Sequence, residues 1–234
     1  MEIQRIRAIL FDLDGTLLKN GMDNFIDAYY QLLTARFTHL VSTETFMQAM
    51  NKAARAMIVN PGPKTNAEVF DAVFFPLVGF SREDSMSIFD DFYRVDFPKL
   101  YQESFFDPAA PCLIQMAMRK RYTCVIATNP LFPETATRQR LAWAGLDADA
   151  FPLVTHYENS RAAKPNLKYY RDILAFIDQP AEACLMVGDQ AWDMVAGELG
   201  MQTFLVRSAV TEVDADTPAP TAEGSLNDLY ELFK

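Results

Sequence analysis

Two carboxylates, Asp12 and Asp14, stand two residues apart where the apolar run Ala8-Ile9-Leu10-Phe11 ends, and Gly15 and Thr16 follow at once. A buried strand read this way opens into a negative pocket at its carboxyl edge, where ligands sit in open α/β sheets. The pair suits a magnesium ion and a phosphate. One carboxylate can attack, the other can move a proton, and the glycine lets backbone N–H groups approach an anion. Alone, the pattern reads equally well as a strand ending in an acidic turn. Three further polar sets stand at strand or loop ends: Thr128-Asn129, Lys164, and Asp189 with Asp193. Phosphoryl transfer needs a nucleophile, neutralisation of oxygen charge, and a cation with hydroxyl or N–H donors around the phosphate, and these residue types match that need.

The elements that must position these groups follow from periodicity. Residues 7–14 read as a strand running into the acidic loop. From Asp107 onward strand and helix alternate. Helix 110–120 leads to strand 123–127, then to a helix ending at Ala144 before Gly145. A short strand near Leu153-Val154-Thr155 follows, then a helix from Asn166 to Phe176, strand 183–187, a helix to Leu199, and strand 202–206. Residues 208–224 are polar and proline-bearing, and Leu226 to Phe233 close the chain as a short helix. This alternation predicts an α/β fold with a parallel sheet covered on both faces, whose strand ends share one edge. Between about 23 and 97 the apolar residues recur at helix spacing instead, as in Phe25, Tyr29, Leu32, Leu33 and Phe37, with Ser81 and Asp84 placed like a capping box. The expected organisation is a core of residues 1–19 and 106–234 with a helical module of 20–105 inserted after the first strand.

With these pieces in place the chain resembles the haloacid dehalogenase-like (HAD) superfamily. All four of that superfamily's motifs stand in order: Asp12-x-Asp14-Gly15-Thr16, Thr128, Lys164 followed by Pro165, and Gly188-Asp189-x-x-x-Asp193. The resemblance implies a Rossmann-like core of strand order 3-2-1-4-5, and the helical insert resembles that family's first type of cap. It further implies that Asp12 attacks phosphorus to form an aspartyl-phosphate while Asp14 protonates the leaving oxygen and then activates water. Mg²⁺ would be held by the Asp12 carboxylate, the Asp14 main-chain carbonyl and Asp189, with Asp193 acting through water. Leu13, Thr128, Asn129 and Lys164 would bind the phosphate, and Thr128 and Lys164 would also serve catalysis. Relatives that cleave carbon–halogen or carbon–phosphorus bonds lack an aspartate at the second position, so Asp14 favours phosphate esters. The implied activity is a Mg²⁺-dependent phosphatase for a small soluble phosphomonoester. A phosphomutase is the near alternative, and a catalytically silent binding protein the alternative from another class. Asp107-Pro108 stands where relatives often carry Pro-Gly.

Whole-chain properties bound the rest. The 234 residues are half apolar, with a formal charge of −10 and a pI near 4.7. That acidity argues against nucleic acid or an anionic membrane as partner. The amino terminus runs straight into the first strand, and no apolar run approaches a membrane span, so the expectation is a cytoplasmic protein. Cys112, Cys124 and Cys184 fit neither zinc spacing nor a disulfide framework and read as buried small hydrophobes. Two histidines, His39 and His156, leave little material for a histidine-based site. The aromatic and methionine residues of the insert, such as Tyr29, Tyr30, Met47, Met50, Phe74, Phe75 and Tyr93, read first as helix-bundle core and second as the lining of a pocket. Monomer and homodimer both stay open.

Overall fold

The computed structural model describes every residue except 21, 208–210 and 212–215, and the side chains of residues 22 and 23 also lie outside it. Part of the polar 208–224 connection therefore falls outside the described residues. Five parallel strands form one sheet: β1 (Ala8–Phe11), β2 (Thr123–Ile126), β3 (Cys184–Gly188), β4 (Gln202–Val206) and β5 (Ala222–Gly224). Their spatial order is β2-β1-β3-β4-β5. The short strand expected near 154 is reduced to one parallel bridge, Val154 to Ile126, outside β2. Counting that bridge as the third strand in chain order gives the expected order, with β5 as an added edge. β5 was not expected, because its three residues are polar or small and half exposed, so they carry no apolar pattern.

Side-chain alternation explains the layering. Ile9, Phe11, Leu185 and Val187 point into the larger apolar cluster, which also takes in α5 (Ala109–Arg119), α6 (Glu134–Trp143) and α9 (Leu226–Phe233). Ala8, Leu10, Cys184 and Met186 point the other way, onto α7 (Leu167–Ile177). With both faces covered, every residue of β1 and β3 is buried and the strands read as continuous apolar runs. The expected strand over 7–14 stops at Phe11, because the chain turns as soon as Asp12 leaves the sheet. The expected helix to Leu199 is one α-turn, α8 (Ala191–Met194), followed by 3₁₀ backbone over Val195–Leu199.

Between β1 and α5 the chain forms α1 (Met22–Phe37), α2 (Thr43–Ile58), α3 (Asn66–Val78) and α4 (Arg82–Asp91), continued by a wider turn over Phe92–Asp96. Thr65 and Glu68 close a reciprocal capping box on α3. At Ser81 half the box is made: its hydroxyl accepts from the Asp84 N–H, and the Asp84 carboxylate bonds that hydroxyl rather than the backbone. The helices pack onto the sheet domain through rings: Phe25 and Tyr29 meet Phe132, and Phe97 stacks on Trp143 at 5.3 Å. One apolar cluster thus runs from the helical insert into the α/β layers.

Cys112 corrects the cysteine reading. Cys124 and Cys184 are buried, but Cys112 is exposed. It lies on the face of α5 opposite Ala109, Ala110, Leu113, Ile114 and Ala117, which meet the sheet. Among the described residues no helix is long and apolar enough to cross a membrane.

Candidate active site

Strand register brings the motifs together. Phe11 lies opposite Ile126 on one side and Val187 on the other, so all three strands release their chains along one edge. Asp12 leaves β1 with its N–H bonded to the Val187 carbonyl, and Ala127 donates to the Phe11 carbonyl at 2.7 Å. Asp12, Thr128 and Asp189 therefore stand side by side, although both Thr128 and Asp189 lie more than a hundred residues after Asp12 in sequence.

Two glycines make the approach possible. Gly15 has φ +81°, and a β-carbon there would lie 2.3 Å from an Asp189 oxygen. A β-carbon on Gly188 would lie 2.3 Å from the Asp193 carboxylate. Each glycine is thus the floor under a carboxylate, a stronger constraint than a turn. Carboxylate oxygens of Asp12, Asp189 and Asp193 all come within 4.8 Å of one another, and all three residues are buried.

Lys164 is the buried cation of the cluster. Its ammonium donates to Asp12 at 2.7 Å and to Asp193 at 2.5 Å. Burial works against its charge, but the two carboxylates outweigh that and hold its pKa well above the ordinary value. Burial, offset only partly by Lys164, pushes the Asp12 carboxyl up to about 7. Burial and the charge of Asp12 push Asp189 up to about 7 as well. Three carboxylates against one ammonium leave an uncompensated negative site. A divalent cation with oxygen ligands would complete it, so the donor set fits a hard metal ion.

Each group is held from behind. Thr16 donates to Asp189 at 3.2 Å, and the Gln190 amide does so at 2.8 Å. Asp193 is the third residue of α8 and takes the Gln190 N–H on its second oxygen. The Asn129 side-chain oxygen accepts from the Lys164 N–H at 3.2 Å, tying the second motif to the third. Helix α7 holds three motifs at once. Tyr169 donates to the Thr128 carbonyl at 2.9 Å, Tyr170 donates to the Trp192 carbonyl at 2.7 Å, and Lys164 enters the same helix two residues before its Asn166 cap.

Asp14 stands apart from this cluster. Its carboxylate forms an ion pair with Arg140 and accepts from the Asn20 amide at 2.6 Å. Arg140 is 1% exposed; it also donates to Thr137, and its guanidinium lies over the Phe132 ring at 4.4 Å. The sequence reading did not single out Arg140. The available signal was its position on α6, where Ala136, Thr137, Arg140 and Leu141 form the buried stripe, because an arginine inside such a stripe needs an anionic partner. Asn66 escaped notice too. It is fully buried and donates to the carbonyls of Pro130 and Ala162, which neighbour Asn129 and Lys164.

Known proteins of this construction were found by comparison. The sequence matches the haloacid dehalogenase-like hydrolase family, a group of hydrolases, over residues 6–199. No curated protein matches the chain. Several solved structures share its fold. The L-2-haloacid dehalogenase from Xanthobacter autotrophicus superposes with a TM-score of 0.60 at 17% identity, covering 97% of this chain and 98% of that one. CbbY from Rhodobacter sphaeroides, solved with phosphate, gives 0.60 at 18% identity and 96% of each chain. The putative HAD-hydrolase YfnB from Bacillus subtilis, bound to magnesium, gives 0.58 at 22% identity, covering 98% and 99%. With the match spanning most of the sequence, residues 6–199, the chain belongs to the haloacid dehalogenase-like hydrolase family.

Proposed function

We propose that the protein is a Mg²⁺-dependent phosphatase acting on a small soluble phosphomonoester in the cytoplasm. The observation that carries the reading is the buried carboxylate trio with its single lysine, together with an aspartate two positions after Asp12 in the sequence. Carbon–halogen cleavage expels a halide, which needs no proton and no neutralisation of phosphoryl oxygens. A site built for that reaction has no use for an acid at the second position, where Asp14 stands. Phosphate ester hydrolysis uses Asp14 as that acid and the buried trio for the metal ion.

Asp12, at the end of β1, is the nucleophile. Lys164 touches it directly and balances the charge of the incoming phosphate as well as its own carboxylates. The residues that would hold Mg²⁺ are Asp12, Asp189, the Asp14 main chain and Asp193, the last through water. The ion, when bound, neutralises charge on the phosphoryl oxygens. Leu13, Thr128 and Asn129 line the phosphate position at the strand ends, where the Tyr169 and Thr155 hydroxyls fix the Thr128 carbonyl. Asp14 gives its proton to the leaving oxygen and takes one from the water that releases phosphate from Asp12. Its pairing with Arg140 and Asn20 sets the carboxylate's direction.

The decisive experiment measures phosphate release from a panel of phosphomonoesters, with Mg²⁺ or EDTA, for the wild type and Asp12→Asn. Release that requires Mg²⁺ and falls to background in Asp12→Asn is the expected result. Isomerised sugar phosphate in place of free phosphate would replace the phosphatase with a mutase. Halide release from a 2-haloacid, with no ester cleaved, would overturn the reading.

A further inference from the structure

A second concavity lies beside the carboxylate site, walled by the insert and by the loop that follows Asn129. Its volume is ≈260 Å³. An engineered cavity of about 150 Å³ holds benzene, so this one has room for a ring-sized body with a substituent. Five of the seven aromatic and methionine residues first read as helix-bundle core line it: Tyr29, Tyr30, Met50, Phe75 and Tyr93. Phe89, Phe132 and Tyr157 complete a wall of rings. Burial raises the phenols of Tyr29, Tyr93 and Tyr157, so those rings stay neutral with their electron-rich faces intact.

The charged residues around the cavity are Asp71, Asp90 and Glu158 against a single cation, Arg82. Arg82 is already committed to an ion pair with Asp71. Glu158 faces His156 at 2.7 Å, and Asp90 has no ion-pair partner among the described residues. Lining of this kind repels an anion, and aromatic faces attract an ammonium within about 6 Å of a ring centroid. The core-side wall, Leu131 to Pro133, begins two residues after Asn129, and Phe132 carries Arg140 of the Asp14 pair on its ring.

We propose that this cavity receives the organic part of the substrate, and that this part is an apolar or aromatic body bearing an amine or quaternary ammonium group. The proposal rests on the phosphatase reading for its link to catalysis, while the cavity's preference for a cation can be tested without turnover. Calorimetric titration of Asp12→Asn with benzyltrimethylammonium, benzyl alcohol and phenylacetate compares cation, neutral and anion on one ring. The ammonium is expected to bind, with benzyl alcohol weaker and phenylacetate undetectable. Asp90→Lys, a change at an exposed position, is expected to weaken ammonium binding roughly tenfold through charge reversal near the cavity. Phosphate esters of amino-bearing aryl alcohols should then show a higher kcat/KM than their neutral counterparts in the wild type. Equal binding of the three probes, a preference for phenylacetate, no binding at all, or ammonium binding unchanged in Asp90→Lys would each overturn the proposal. If phosphate is released but the probes do not bind, only this inference falls. If the ammonium binds but no ester is cleaved, the cation site stands and the phosphatase reading falls.

Discussion

At the scale of single residues, the informative contrast is between the two aspartates of the first motif. Asp12 is locked against Lys164, whereas Asp14 is paired with an arginine 126 residues away in sequence. If Asp14 has the acid–base role proposed for it, a carboxylate held in this way depends on its partner for orientation. Asp14→Asn is expected to lower kcat by about 10²–10⁴-fold, the usual worth of positioned proton transfer. Arg140→Ala, which leaves Asp14 with Asn20 alone, is expected to lower kcat by roughly 10–100-fold, the range typical of groups that orient a reacting side chain. Arg140→Lys should recover part of that loss, and the pH profile of kcat should move in both variants. A drop in melting temperature with kcat and its pH profile unchanged would make the pair structural only. Asp189 was legible from sequence because it follows the apolar run of β3, whereas Lys164 and Asp193 were legible only through the order of the four motifs. Arg140 was not, because its anionic partner, Asp14, lies in the loop after β1, far off in sequence.

At the scale of elements, the buried side chain of Asn66 ties the helical insert to the loops that carry the second and third motifs. Asn66 starts α3, and its amide reaches the Pro130 and Ala162 carbonyls, while Asn60 bonds it from the preceding loop at 2.8 Å. Asn66→Ala would leave two buried carbonyls unpaired. The expected cost is about 1–3 kcal/mol per orphaned group, read by denaturant unfolding. Phosphate release should fall as well, since the two loops it holds carry Asn129 and Lys164. Most of the helices and strands were readable from apolar periodicity, and α6, a polar helix, from its start at Pro133 and its stop before Gly145. The exceptions share a cause. Val154, β5 and the single turn of α8 are too short to show a period, and backbone pairing or capping decides them.

For the whole molecule, the buried negative charge has a thermodynamic consequence. The folded protein without metal keeps protons on Asp12 and Asp189 up to about pH 7. The unfolded chain releases them near pH ~4. Between those values the native state binds more protons, so stability is greatest at the acidic end and declines as pH rises through about 7. Melting of the EDTA-treated protein across that interval is expected to show the decline, and Asp189→Asn to flatten it. On the proposed reading Mg²⁺ would reverse the situation by binding the ionised carboxylates of the native state alone. At ~100 times its dissociation constant it should add about 2.7 kcal/mol of stability. For a chain of this size that is roughly 5–10 °C in melting temperature. The shift should vanish in Asp189→Asn, and an equal shift in that variant would place the ion elsewhere.

The sequence by itself determined that carboxylates and a threonine–asparagine pair stand at the ends of apolar runs. It also determined that alternating strand and helix put those ends on one edge of a parallel sheet. Both are local properties, since a strand's period and the polarity change at its end need no distant contact. The tertiary structure alone decided where Asp14 turns, how Asn66 docks the insert, and that rings packed in or against the apolar core also line a cavity. Those outcomes depend on which surfaces meet when elements far apart in the chain pack, and an apolar residue carries the same local pattern whether it fills a core or lines a pocket.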